Sequence, residues 1–257
     1  MTEAIALGDL TMIGAFGLAL LLSFVAVEAG YRLARRRHRQ ARLEEEAPVG
    51  AMVGATLGLL AFVLGLTFSQ AMDAFHARKV ALLEEVNAIQ SAYRLADLAP
   101  PPQRAEIRQV LRAYADERVR WTAGDSDSAS TAVLLARLWE QVAAAGKAEP
   151  GNVDTLLDAA RRIFELRQER ILVRERSHIP TFFWTVLTVL SVLTLAAMGY
   201  HGGVAGTRRS PVTVAVTVGY AVLIMLIVDL DQPGRGFVNV SQQPMVDLRD
   251  RLNAARP

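Results

Sequence analysis

Charged and apolar positions are segregated along this chain in the way that marks membrane proteins. No Asp, Glu, Lys or Arg occurs at positions 10–27, 47–72, 177–207 or 210–228. An α-helix rises about 1.5 Å per residue and the hydrocarbon core of a bilayer is about 30 Å thick, so about 20 apolar residues cross it. This spacing predicts transmembrane helices near 10–28, 49–70, 179–200 and 211–229. They are expected as helices because a backbone in lipid must bond every N–H and C=O internally.

Between the second and third stretches the pattern becomes amphipathic with a helical period. Leu82, Val86, Ile89 and Tyr93 form one stripe, and Ile107, Leu111, Tyr114, Val119 and Trp121 a second. Leu134, Leu138 and Val142 form a third, and Val153, Leu156, Leu157, Ala160, Phe164 and Ile171 a fourth. Breaks are expected at Pro100, Pro101 and Pro102, at 124–128, and at 146–151 with Pro150 and an Asn152 cap. The predicted fold is all-α: four transmembrane helices and an inserted bundle of about four helices. Its parts are a first hairpin over 1–72 with a loop at 31–47, a helical domain over 73–178, a second hairpin over 179–230, and a C-terminal tail over 231–257.

Charge adds an orientation to this plan. Residues 1–9 carry no Lys or Arg, whereas Arg32, Arg35, Arg36, Arg37, Arg39 and Arg42 follow the first stretch, so that stretch reads as a retained span and not a cleaved signal. Positive residues favour the cytoplasmic side, and Arg208 and Arg209 in the second short loop agree. The N-terminus, the helical domain and the tail are then expected outside the cytoplasm, in a multi-pass protein of a bacterial inner membrane.

Composition mostly excludes. The mean hydropathy is +0.24, and the net charge of the 257 residues is only +2, with Lys79 and Lys147 the only lysines. No basic stripe with interleaved aromatics appears, so nucleic acid is not an expected partner. Cysteine is absent, which removes thiolate nucleophiles and cysteine-bound zinc. Neither a metalloprotease helix, a nucleophile elbow, a phosphate loop nor a calcium loop is present, so no enzyme, cofactor or metal centre is expected.

A few residues stand out. Gly50, Gly54 and Gly58 recur every four positions in the second span, which allows close approach of another helix, either a second subunit or the first span with its Gly14 and Gly17. Asp73 and His76 follow that span at helical spacing suited to a shared face, as an interfacial polar pair or an ion contact. Glu28, Asp229 and Asp231 are acids at span ends, where a carboxylate reaches water or meets ions. Glu44, Glu45 and Glu46 read as a solvated run, and Glu84, Glu85 and Asn87 as the opening of the helical domain.

The stretch from Gly58 through Phe62, Gly65 and Leu66, continuing by Asp73, Phe75 and His76 to Asn87, resembles the second transmembrane helix of bestrophins and its extension beyond the bilayer. Across nearly its full length the chain is similar to the bacterial bestrophin-like family, with Glu84, Asn87 and Ala88 as an E-x-x-N-A element. The tail from Asp229-Leu-Asp231-Gln-Pro233 to Val240, Ser241 and Pro244 is part of the likeness. Bestrophins are oligomeric ion channels, typically pentamers, with a neck of three apolar residues spaced four apart. The resemblance therefore implies a homo-oligomeric ion channel whose neck positions are Gly58, Phe62 and Leu66. Phe62 and Leu66 suit a constriction that gates by dewetting, while Gly58 brings no side chain to one. The chain departs further where Ala74, Phe75 and His76 replace an arginine and paired tryptophans, and in the side of the membrane its arginines assign to the helical domain. A non-conducting scaffold or sensor, whose helical domain binds a ligand or partner, is the alternative.

Overall fold

The computed structural model describes residues 2–39, 46–120, 129–148, 153–176, 179–206, 211–232 and 237–254. Among them every regular element is helical: α1 (Thr2–Arg39), α2 (Glu46–Leu95), a 3-10 turn (Ala96–Leu98), α3 (Pro101–Arg120), α4 (Ala129–Ala148), α5 (Val153–Arg176), α6 (Thr181–Val204), α7 (Pro211–Asp231) and α8 (Gln243–Ala254). Trp121, the 124–128 break, Pro150, Asn152, Arg42, Glu44, Glu45, Arg208, Arg209 and the 233–236 motif lie outside the described residues, and so do the side chains of Arg39 and Glu46.

Prolines fix several boundaries. Pro100 favours an extended residue before it, and Ala99 has φ −84° and ψ 151°; Pro101 then opens α3, where a missing N–H costs nothing. Arg104 donates its backbone N–H to Pro100 O at 2.9 Å to close the first turn. Pro180 precedes α6 and Pro211 opens α7. After α6 the chain turns at Gly206, whose φ of +64° is the left-handed conformation that suits glycine.

Four helices, α1, α2, α6 and α7, contain segments long and apolar enough to cross a membrane. At 50 residues α2 is far longer than a span requires, since about 20 suffice. The predicted second span and the first stripe of the helical domain are thus one helix.

The chain divides into two compact units, Met1–Asp73 with His178–Val238, and Ala74–Ser177 with Asn239–Pro257, so α2 contributes to both. In the first unit α1 packs along α6 and against α7. Small residues bring α1 and α6 together: a β-carbon on Gly30 would overlap the carbonyl oxygen of Ala196, and one on Gly199 that of Val27. Gly203 meets Tyr31 and Ala34 in the same way. Several hydroxyls within the spans are satisfied locally, with Ser23 donating to Ala19 O at 2.6 Å, Thr67 to Val63 O at 2.8 Å and Thr217 to Thr213 O at 2.8 Å, while Tyr220 Oη of α7 donates to Ser191 Oγ of α6 at 2.6 Å.

The second unit has an interior of large side chains. Leu82, Val86, Ile89, Ile107, Leu111, Tyr114, Leu135, Leu138, Val142, Leu156 and Ile163 are buried together, and Leu134, Leu157 and Phe164 pack partly buried against them. The segment expected as a tail contributes α8, which inserts Met245, Leu248 and Leu252 into this core and packs on α3.

Candidate pore-lining face and span-end acids

On α2 the positions spaced four apart point away from the rest of the first unit. Phe62 is 63% exposed and Leu66 51%, and Gly58 has nothing near the place a β-carbon would occupy. Ser69 and Asp73 are exposed on the same side. Steps of four, four, three and four from Gly58 to Asp73 stay within about a quarter of the helix circumference, so all five share a face. Ala51, Gly54, Ala55, Ala61 and Gly65 are exposed around it. The exposed Met52 and Leu59 flank it, and the outward faces of α6 and α7 carry more such large apolar groups, among them Phe182, Val189, Leu193, Val212, Val222 and Leu223.

Of the period-four glycines, Gly50 faces α6, where a β-carbon would come 2.9 Å from His201 Nε2. Gly54 and Gly58 meet nothing within 4 Å, and the same holds for Gly14 and Gly17 of α1. The close helix approach inside this unit is made instead by Gly30, Gly199 and Gly203. Its signal in the sequence is a small residue every fourth position, Ala26, Gly30 and Ala34 on α1 and Gly199 and Gly203 on α6.

The span-end acids separate into two kinds. Asp229 accepts backbone N–H groups from Phe237 at 2.7 Å and Val238 at 2.8 Å, and Asp231 accepts that of Ile179 at 2.8 Å. Both are buried, so they organise the backbone around the end of α7. Glu28 accepts from Arg32 Nε at 2.8 Å, one turn along α1. Asp73 is exposed and makes no hydrogen bond or ion pair among the described residues.

In the second unit His76 is exposed, with its ring 6.1 Å from that of Phe75. Glu84 accepts from Arg162 Nη2 at 2.7 Å on the surface, and Asn87 is exposed. Their neighbour Glu85 is buried, because it falls between Leu82 and Ile89 on the apolar stripe of α2. Tyr114 Oη donates to its Oε1 at 2.7 Å, Arg118 Nε to Oε1 at 3.0 Å and Arg118 Nη2 to Oε2 at 3.0 Å, while Arg170 Nε stands 3.5 Å from Oε2. Burial pushes the Glu85 carboxyl up, but the Arg118 and Arg170 guanidiniums and the donated hydrogen bonds outweigh it and hold the pKa below the usual carboxylate value. Burial and the adjacent carboxylate push the Tyr114 hydroxyl well above its ordinary range. A charged residue interrupting an apolar stripe, with Tyr114 and Arg118 one turn apart on the facing helix, is the pattern that identifies this cluster. Among the described residues no three His, Asp or Glu side chains converge as a metal site requires.

The described geometry has relatives. A family model for the bestrophin-like domain matches residues 17–245. A variant of a bacterial bestrophin homologue from Klebsiella pneumoniae has a similar structure, with a TM-score of 0.66 at 14% identity, covering 94% of this chain and 97% of that one. The same homologue solved by zinc phasing gives a TM-score of 0.60 at 14% identity, with 95% and 99% covered. No curated protein matches. At that identity the structures speak for the fold, and the family model, spanning most of the sequence, speaks for descent. This all-helical membrane protein belongs to the bestrophin-like family.

Proposed function

We propose that the protein is a homo-oligomeric ion channel of the bacterial inner membrane, in which α2 of each copy lines the conducting path. One observation carries this reading: from Gly58 to Asp73 one exposed face of α2 runs from small residues through Phe62 and Leu66 to the polar Ser69 and Asp73, with the exposed Met52 and Leu59 at its edge. A surface that meets only lipid tails has no use for alanine and glycine on its exposed side, whereas helices that approach one another do. Gly54 and Gly58 would let copies pack around an axis, and Phe62 and Leu66 would narrow the path and gate it by dewetting. Five copies is the number the family resemblance suggests. Arg32, Arg35, Arg36 and Arg37 at the end of α1 favour the cytoplasmic side, which would put the helical unit outside.

Purified protein in planar bilayers tests the proposal. Single-channel currents above the empty-membrane control are expected, with larger leak after Phe62→Ala or Leu66→Ala. The reading fails if the purified assembly passes no current over a wide range of pH, calcium and voltage. Native mass spectrometry checks assembly separately: a closed ring in the wild type, and smaller species after Gly54→Leu.

A further inference from the structure

Among the described side chains four acids stand at the ends of spans in the first unit, and they are not equivalent. The carboxylates of Asp229 and Asp231 are buried and occupied by backbone N–H groups, and Glu28 is paired with Arg32. Asp73 alone among them is exposed and has no partner among the described residues. It lies on the face that presents Phe62, Leu66 and Ser69, and it is the first charged residue after the charge-free stretch 47–72.

From this we infer that Asp73 sets the charge class of the permeant ion, and that the class is cations. The inference rests on the reading of α2 as the lining helix. In any cyclic assembly each copy brings its Asp73 to the same height, so the carboxylates face one another across the path. Their mutual repulsion is relieved by a counter-cation, and rings of Asp or Glu are a standard physical basis for cation selection. Seven residues separate Leu66 from Asp73, about 10 Å along the helix, which is comparable with the screening length of about 8 Å at physiological ionic strength. The ring therefore acts mainly on ions at the mouth of the path, before they reach the constriction. His76, exposed three residues on and rotated about 60°, is the nearest titratable neighbour, whereas Arg78 and Lys79 are rotated about 140° and 120° from Asp73 about the helix axis, so no arginine or lysine of this helix turn shares its face.

The test is the ratio of K+ to Cl− permeability of the full-length assembly under asymmetric KCl. Wild type is expected to favour K+ several-fold, Asp73→Asn to bring the ratio near unity, and Asp73→Lys to favour Cl−. An unchanged ratio in Asp73→Asn, or a wild type that prefers Cl−, overturns the inference while leaving the channel in place. If the wild type carries no current, the channel reading falls, and binding of Mn2+ to the detergent-solubilised assembly, read by electron paramagnetic resonance, decides about the carboxylate. A Mn2+ site present in wild type and lost in Asp73→Asn supports a converged acidic ring, and equal binding by the two overturns it.

Discussion

The two units of the chain are both helical, yet they hold their helices together by opposite means. In the membrane unit α1 and α6 meet through Gly30, Gly199 and Gly203, backbone against backbone. In the helical unit Ile89, Ile107, Leu111, Tyr114, Leu138 and Ile163 fill the space between the helices. Water explains the difference. Burying large apolar side chains releases them from water in the second unit, but in lipid the tails are as apolar as leucine, so only close packing and internal hydrogen bonds distinguish the folded arrangement. The polar groups follow the same division. Most span hydroxyls bond to carbonyls of their own helix, with the neutral Tyr220–Ser191 pair joining α7 to α6, whereas the helical unit buries a carboxylate and a guanidinium with long-range partners.

That contrast is most sharply broken at Glu85. Replacing it by alanine leaves Arg118 buried without its carboxylate, and removing one partner of a buried pair costs about 3–5 kcal/mol. The unit containing Trp139 should unfold at markedly lower denaturant in the full chain, followed by the fluorescence of a variant keeping only that tryptophan. A variant keeping only Trp184 reports the membrane unit, where a much smaller shift is expected. The carboxylate also carries a pH signature. Its folded pKa lies below the ordinary 4.5, so the stabilisation is present above that value and fades as pH falls below it. In Glu85→Gln that acid slope should shrink, and an identical slope would mean that other carboxylates govern it.

Leu111→Ala tests the packing arm of the comparison. Leu111 is fully buried, and truncating such a leucine costs about 2–5 kcal/mol, depending on how far the cavity collapses. Gly199→Ala is the counterpart in the membrane unit. One added methyl must displace the Val27 carbonyl, an overpacking for which about 1–3 kcal/mol is typical. The Trp184 reporter should register the glycine variant and the Trp139 reporter the leucine variant. A glycine variant as stable as wild type would show that α1 and α6 can separate without loss.

The parts legible in the sequence are those with a strong period. Charge-free stretches located the four spans, and the stripes of Leu82–Tyr93 and Ile107–Tyr114 marked faces that the structure buries. The third stripe was legible in position but shifted in phase, since Leu135 and not Leu134 is fully buried beside Leu138 and Val142. Helix α8 was not legible, because twelve residues with only Met245, Leu248 and Leu252 on the buried side are too short a pattern to separate from a tail. The change of composition at Asp73 hides the continuity of α2 from a reading by period, although nothing there breaks a helix and the bestrophin resemblance implied an extension beyond the bilayer. Of the residues singled out on α2, sequence spacing shows that Gly58, Phe62, Leu66 and Asp73 share a side, but not that this side is exposed. Nor does spacing distinguish the carboxylate of Asp73, unpartnered among the described residues, from the occupied ones of Asp229 and Asp231, since their N–H partners come from Ile179, Phe237 and Val238, brought near only by the fold.

The smallest effect is expected one residue from the largest. Glu84 and Glu85 are adjacent on α2 and each meets an arginine, but the Glu84–Arg162 pair is 2.7 Å long with both side chains over 40% exposed. Water screens such a pair and holding two long side chains together costs entropy, so exposed pairs contribute about 0.2–1 kcal/mol. Glu84→Ala should therefore leave the Trp139 transition within that margin, and added salt should erase what remains. A double-mutant cycle with Arg162→Ala isolates the pair from changes in helix propensity. A coupling energy as large as that of Glu85 with Arg118 would mean that the surface of α2 at Glu84 is covered in the assembled protein, which would turn this control into a marker of a subunit contact.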